Sequence, residues 1–180
     1  MISIIVPITI AYSSLILREP RVMRLFRQSA AIIQRDTGVK LKANYRKLKI
    51  PTWRDGGYET GVIFVLNYLK YFDKVKKVGV KTMMIAPAFT RPETREEVIM
   101  GQAYICNDKG IMSYGAYRTS WGFNRAVFIH EIGHLLGAWH DVSKTYMNPA
   151  PGTVAIEIGN KEMRFSQKSV EEIKSCVGGL

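Results

Sequence analysis

The sequence is poor in cysteine and in acidic residues, and each shortage narrows the classes of protein it can belong to. Its two cysteines, Cys106 and Cys176, are too few for a disulfide scaffold or a four-thiolate zinc site and allow one bridge at most. Its 15 acidic residues against 26 basic ones leave a net charge of 26 − 15 = +11, which favours anionic partners without specifying a fold. Apolar residues are 47% of the 180, which excludes a disordered chain and predicts one globular domain.

The sequence also lacks a stretch that could span a membrane, which takes roughly 20 apolar residues. Residues 1–17 are largely apolar, but they have no positively charged start and they include Pro7 and polar side chains. We therefore expect a buried first strand, Ile2 to Ile10, with a signal or anchor as the alternative. A cytoplasmic location is favoured, secretion stays open, and we expect a monomer.

Apolar periodicity predicts alternating strands and helices, bounded by turn residues. The predicted strands are Ile2–Ile10, Val39–Ile50, Val80–Pro87, Val98–Cys106 and Ile111–Tyr117. The predicted helices are Pro20–Thr37, Thr60–Val78, Asn124–Leu136 and Gln167–Val177. This order indicates a mixed α/β (α+β) fold.

All three histidines lie in one short stretch, His-Glu-Ile-Gly-His-Leu-Leu-Gly-Ala-Trp-His. His130 and His134 are one helical turn apart, so both imidazoles can reach one zinc ion from the same helix face. Glu131 stands beside them, directed at the metal's open position. Gly137 can adopt a left-handed conformation that ends the helix and turns the chain, which allows His140 to return as a third ligand.

A structural zinc site is the main alternative interpretation of this stretch. Structural sites tend to use four protein ligands, often thiolates, whereas three histidines beside a carboxylate leave one position for water and suit catalysis. The sequence therefore predicts one catalytic Zn²⁺ ion.

The histidine motif resembles that of the metzincin clan of zinc-dependent peptidases, which it matches in full. The resemblance implies a metzincin-like zincin fold, a twisted mixed five-stranded sheet with two long helices and an active-site helix. It implies one catalytic domain over residues 1–180, with an N-terminal subdomain 1–137 and a small C-terminal subdomain 138–180 that ends in a helix. Met147 is the candidate for the clan's methionine turn, packed beneath the histidines without binding zinc; ordinary core packing is the alternative.

Within the clan, the sequence is most similar to the adamalysin, or reprolysin, group. Asp141 directly follows the third histidine, as in that group, where the aspartate is buried and braces the methionine turn; a surface aspartate is the alternative. The segment Gly101-Gln-Ala-Tyr-Ile-Cys106 resembles the group's edge strand and the cysteine after it. The resemblance implies a disulfide between Cys106 and Cys176, with two buried thiols as the alternative.

The motif and the resemblance together predict a zinc-dependent endopeptidase. Glu131 would take a proton from a zinc-activated water that attacks the scissile carbonyl, and would then protonate the leaving amine. A peptide or protein substrate would pair with the unpaired backbone of the edge strand. The residues expected to bind it there are Gly101, Gln102, Ala103 and Tyr104.

Two other functions stay open. One is a zinc hydrolase of narrow specificity or an aminopeptidase, which a cleft closed at one end would distinguish. The other is a binding protein with a vestigial zinc site and a basic surface for nucleic acid or anionic lipid, although such residues are usually just solvated. The basic residues concerned are Lys40, Lys42, Arg46, Lys47, Lys49, Lys70, Lys74, Lys76, Lys77 and Lys81.

Overall fold

The computed structural model describes residues 4–13, 18–50, 53–54, 71–75, 77–89, 101–114, 121–141, 144–149 and 163–179. Its strands are β1 (Ile5–Ser13), β2 (Lys40–Leu48), β3 (Trp53–Arg54), β4 (Lys81–Phe89), β5 (Gly101–Ala103) and β6 (Lys109–Tyr114). Its helices with defined bounds are α1 (Glu19–Thr37), α2 (Trp121–Leu135) and α3 (Gln167–Gly178).

The strands form a mixed sheet in the order β2-β1-β4-β6-β5, and the two-residue β3 pairs with the end of β4. The pairs β1–β2, β1–β4 and β4–β6 are parallel, whereas β5 runs antiparallel to β6. This arrangement confirms the predicted five-stranded mixed sheet. It also places β2 and β5 at opposite edges of that path.

The first strand is buried as predicted, but it lies further along the chain than Ile2 to Ile10. It continues to Ser13, whose hydroxyl donates a hydrogen bond to the Ile50 carbonyl at 3.0 Å and so holds the strand end in place. Residues 1–3 of the predicted strand lie outside the described residues. Among the described helices, none has the length and apolar composition that crossing a membrane requires.

Helices cover both faces of the sheet. Helix α1 packs on one face, and it ends at Thr37 as predicted. Gly38 follows with a left-handed φ of 78°, and its amide donates a hydrogen bond to the Gln34 carbonyl. Residues 71–75 are helical, and Phe72 lies in the cluster on the other face. The predicted helix Thr60–Val78 lies partly outside the described residues, and its predicted end is wrong, because residues 77–80 form a bridged turn.

The strand predicted over Val98–Cys106 ends at Ala103 in the structure, so Tyr104 falls outside it, and residues 98–100 of the prediction lie outside the described residues. The Tyr104 amide donates to the Lys109 carbonyl at 3.1 Å, which closes the β5–β6 hairpin. Cys106 has a φ of +52°, a left-handed conformation that cannot continue a strand. Strand β6 begins at Lys109, earlier than predicted, and residues 115–117 of its prediction lie outside the described residues.

Helix α2 lies in the interior and packs against β5, β6 and α1. Apolar residues on several sides of it are fully buried, among them Phe128, Ile129, Ile132 and Leu135. It begins at Trp121, three residues before the predicted start, and the Trp121 indole N–H donates to Gln28 of α1 at 2.7 Å. This burial fixes the helix that carries two of the three histidines.

Candidate metal centre

Helix α2 carries His130, Glu131 and His134, and all three side chains are buried. The chain leaves the helix at Gly137, which has a φ of +114°. A Cβ atom at this position would also lie 2.5 Å from the Cβ of Cys176 in α3. Glycine is therefore required at 137 both by backbone conformation and by space, and the turn there returns the chain toward the helix.

The structure brings the three histidines into one cluster. One ring nitrogen of each of His130, His134 and His140 lies within 4.8 Å of the others. The Nε2 atoms of His130 and His134 are 3.0 Å apart, and the His140 ring centroid is 5.2 and 4.8 Å from those of His130 and His134. His140 is the exposed member of the cluster.

Backbone carbonyls fix the orientation of the two buried rings. The Nδ1 atom of His130 lies 2.8 Å from the Tyr146 carbonyl, and the Nδ1 atom of His134 lies 2.7 Å from the Ala138 carbonyl. Because a carbonyl only accepts, each Nδ1 carries the proton and each Nε2 keeps a free lone pair. The two lone pairs face one another at 3.0 Å, an arrangement that a shared cation stabilises.

The charge state of the rings also suits metal binding. Burial, together with the neighbouring His134, lowers the pKa of His130 to about 3. Burial likewise lowers the pKa of His134 to about 4 and lowers that of His140. The rings are therefore neutral at pH 7, the form in which imidazole binds metals.

The donor set fits zinc. Two nitrogens bound to one tetrahedral Zn²⁺ at 2.0–2.1 Å lie about 3.3 Å apart, close to the observed 3.0 Å between the two Nε2 atoms. Three neutral imidazoles are also a ligand set typical of zinc sites with an open position. The cluster could therefore hold a metal ion.

Glu131 is buried beside this cluster and has unused hydrogen-bonding capacity. Its Oε2 atom is buried and has no hydrogen-bond partner among the residues that the structure describes. Burial raises the pKa of its carboxyl group well above the ordinary value for glutamate. A buried carboxyl group with a strongly perturbed pKa, next to metal-ligand histidines, is typical of an active site.

Met147 is fully buried against α2. A Cβ atom at Gly133 would collide with the Met147 sulfur, so the thioether fills the space that this glycine leaves on the helix. The Asp141 amide donates to the Met147 carbonyl at 2.8 Å, while Asp141 itself is half-buried. The sequence places these residues near the histidines. In the structure, Met147 packs directly against α2, which we call the metal-site helix because it carries His130 and His134.

A disulfide joins Cys106 to Cys176 and thereby ties the β5–β6 hairpin to α3. The Cys106 amide donates to the His134 carbonyl at 2.9 Å, next to the Gly137 amide, which donates to the same carbonyl. The bridge is therefore linked to the C-terminal end of the metal-site helix.

The candidate substrate residues lie at the β5 edge of the sheet. Gly101, Gln102 and Ala103 form β5, whereas Tyr104 follows it with an exposed side chain. Helix α2 packs on this strand, so β5 and the metal-site helix are direct neighbours.

Not every described member of the predicted basic surface is exposed. Exposed members on β2 and just after it lie at the sheet edge opposite β5: Lys40, Lys42, Arg46, Lys47 and Lys49. Lys81 is wrongly predicted as part of this surface, because it is only 8% exposed and its Nζ donates to the Asn107 carbonyl at 2.8 Å. Lys74 lies 5.4 Å from the Tyr71 ring, and Lys70 and Lys76 lie outside the described residues.

Sequence reasoning missed the groups that support the cluster. Two of them are the carbonyls of Tyr146 and Ala138, which no side-chain pattern can reveal. A third is Gly133, which lies inside the histidine motif. A glycine in the middle of a helix is a signal that another side chain packs closely against it, and this signal could have been used. The fourth is Glu172, whose carboxylate accepts the Trp139 amide at 3.0 Å and anchors the loop before His140.

No known family model matches the chain, and no curated protein matches it. Its fold is similar to that of archaemetzincin from Methanopyrus kandleri, with a TM-score of 0.64 and 13% identity, covering 96% of each chain. It is similar to metalloproteinase-II from Bacteroides fragilis, with a TM-score of 0.62 and 15% identity over 97% of this chain and 53% of that one. A chaperone-substrate complex matches with a TM-score of 0.56 and 16% identity, over 98% of this chain and 34% of that one. The chain therefore shares the fold of an archaemetzincin and of a bacterial metalloproteinase.

Proposed function

We propose that the protein is a zinc-dependent endopeptidase in which His130, His134 and His140 bind one Zn²⁺ ion and Glu131 is the general base. The observation that carries this proposal is the convergence of the three rings, with both buried Nδ1 atoms already bonded to carbonyls and both Nε2 atoms facing one point. The fold shared with two metallopeptidases supports it. Three protein ligands would leave one position open for water or substrate.

The proposed reaction is hydrolysis of a peptide bond. Bound zinc would supply Lewis acidity, lowering the pKa of water to about 7 and polarising the scissile carbonyl. Glu131 accepts a proton as water adds its oxygen to the carbonyl carbon. It then delivers that proton to the nitrogen as the C–N bond breaks, so the products are a carboxylic acid and an amine.

Glu131 suits this role because its Oε2 atom has no partner in the described residues. Burial raises the pKa of this carboxyl group. A divalent cation at the neighbouring histidines would favour the carboxylate form, so the base would be formed when the metal binds.

Strand β5 is the proposed substrate platform. It ends the strand order of the described sheet, and it packs against the helix that carries Glu131. An extended peptide can pair with such an edge through its main chain and continue beyond it in both directions, which favours cleavage within a chain. We assign substrate binding at this edge to Gly101, Gln102, Ala103 and Tyr104, although the Tyr104 amide itself is already bonded to the Lys109 carbonyl within the hairpin.

The proposal extends to an adamalysin-like organisation with a methionine turn at Met147. Support comes from the packing of Met147 against Gly133 and from the hydrogen bond between the Asp141 amide and the Met147 carbonyl. The Cys106–Cys176 disulfide links the edge-strand hairpin to the last helix, as that resemblance implies.

A second, separate property is binding of an anionic partner at the β2 edge. Lys40, Lys42 and Arg46 project from one face of this strand and are exposed. They lie at the edge opposite β5, so such a partner would leave the proposed peptide site free. Binding of nucleic acid or anionic vesicles that falls steeply with salt supports this property, and its absence at low salt contradicts it.

Cleavage mapping of a peptide library tests the endopeptidase proposal. Zinc-loaded protein is compared with Glu131→Gln, which keeps the side-chain shape but removes the base. Internal cuts that disappear in the variant while its zinc content is unchanged support the proposal. Removal of single N-terminal residues indicates an aminopeptidase, and no cleavage despite one zinc per chain contradicts a general endopeptidase.

A further inference from the structure

Gly101 of β5 lies directly against the side chain of Glu131. A Cβ atom at position 101 would lie 2.6 Å from Cδ and 2.7 Å from Cγ of Glu131, and it would also collide with Oε1. Separations below 3.0 Å are essentially never adopted by real Cβ atoms. Gly101 is not among the glycines with positive φ, so it is space and not backbone conformation that requires glycine here.

The surrounding backbone cannot easily move to accommodate a larger residue. Strand β5 is paired with β6 in a register that places Gly101 opposite Met112. The residues of α2 on either side of Glu131 are buried. The Nδ1 atoms of His130 and His134, on the same helix, are bonded to backbone carbonyls that lie outside the helix. A side chain at 101 would therefore have to displace Glu131 itself.

We infer that Gly101 is a positioning residue, whose missing side chain leaves the slot in which the Glu131 carboxylate is held. This inference rests on the proposed function, in which Glu131 transfers the proton. Gly101 contributes through Glu131 and not through contact with the reacting atoms. A displacement of about 1 Å in such a group costs about 100-fold in rate.

A double-mutant cycle on the metal-free protein tests the contact without any activity measurement. Thermal unfolding midpoints are compared for the wild type, Gly101→Ala, Glu131→Ala and the double variant. Gly101→Ala should lower the midpoint when Glu131 is present. In the Glu131→Ala background the same substitution should be neutral or raise the midpoint, because the slot is empty and alanine is less costly than glycine in a strand.

Gly110→Ala is the matched control. Gly110 lies on the neighbouring strand, and the three atoms nearest to a Cβ there would be the Ala103 Cβ at 3.0 Å and two Leu135 atoms at 3.2 Å, none of them from Glu131. Its shift in midpoint should be the same in both backgrounds. If Gly101→Ala also gives equal shifts in both backgrounds, the inference is overturned.

Kinetics of the zinc-loaded protein then test the positioning role. Gly101→Ala should lower kcat about 10- to 100-fold, with KM and zinc content close to those of the wild type. An effect confined to KM would mean that Gly101 acts by binding substrate and would overturn the inference, as would unchanged kcat. Inactive wild-type protein would instead contradict the proposed function, while the double-mutant cycle would still decide whether the contact exists.

Discussion

The Nδ1 atom of His130 donates a hydrogen bond to the carbonyl of Tyr146 at 2.8 Å, and this bond joins the metal-site helix to the loop that carries Met147. Met147, the next residue, fills the space left by Gly133 on the same helix. The position of this loop and the orientation of a proposed zinc ligand are therefore set by the same contacts.

Gly133→Ala should disturb both stability and metal binding. The added methyl group collides with the Met147 sulfur and should cost about 1–3 kcal/mol of unfolding free energy, measured by chemical denaturation. Because the loop also orients His130, zinc affinity should fall about 10- to 100-fold. In a Met147→Ala background the substitution should cost much less, and an equal cost in both backgrounds would contradict the contact.

Replacing any of the three histidines by alanine should weaken zinc binding by more than the roughly 10- to 100-fold expected for a supporting group. Competition titration against a chromophoric chelator measures this loss. Lys174→Ala, at an exposed position on α3, is the control and should bind zinc as the wild type does. His140→Ala with wild-type affinity would show that only the two helical histidines bind the metal.

Much of the fold could be predicted because its cues are local. Helix α1 ends where Gly38 adopts its left-handed conformation, and the spacing of His130 and His134 follows from helix geometry. The missed features depend on distant contacts. Strand β5 ends before Cys106 because this residue adopts a left-handed conformation and its amide donates to the His134 carbonyl. Lys81, which the sequence indicates as a surface residue, is instead held in the hairpin by its hydrogen bond to the Asn107 carbonyl.

Removing the disulfide should destabilise the protein and loosen the end of the metal-site helix. The bridge spans a sequence separation of 70 residues, for which loop entropy predicts about 4 kcal/mol of lost unfolding free energy in Cys106→Ser/Cys176→Ser. Urea unfolding with and without reductant measures it. Reductant should destabilise the wild type and leave the double variant unchanged; a double variant as stable as the oxidised wild type would contradict the prediction.

Acid should destabilise the metal-free protein through its buried histidines. Burial lowers the pKa of His130 to about 3 and that of His134 to about 4, whereas both titrate near 6.5 when unfolded. Between these values the unfolded chain binds more protons than the native one, so stability falls as pH falls. From pH 7 to pH 5 the two residues should together cost about 4 kcal/mol.

Glu131 has the opposite effect on the dependence of stability on pH, and a variant at this position separates its contribution from that of the histidines. Burial raises the pKa of Glu131, so above pH 4.5 the native state keeps a proton that the unfolded chain loses, and acid then favours folding. The wild type should therefore lose less stability between pH 7 and pH 5 than Glu131→Gln, in which the histidines still titrate and residue 131 does not. Urea unfolding of chelator-treated protein measures both profiles. A flat profile in Glu131→Gln would show that the histidines are not buried in neutral form.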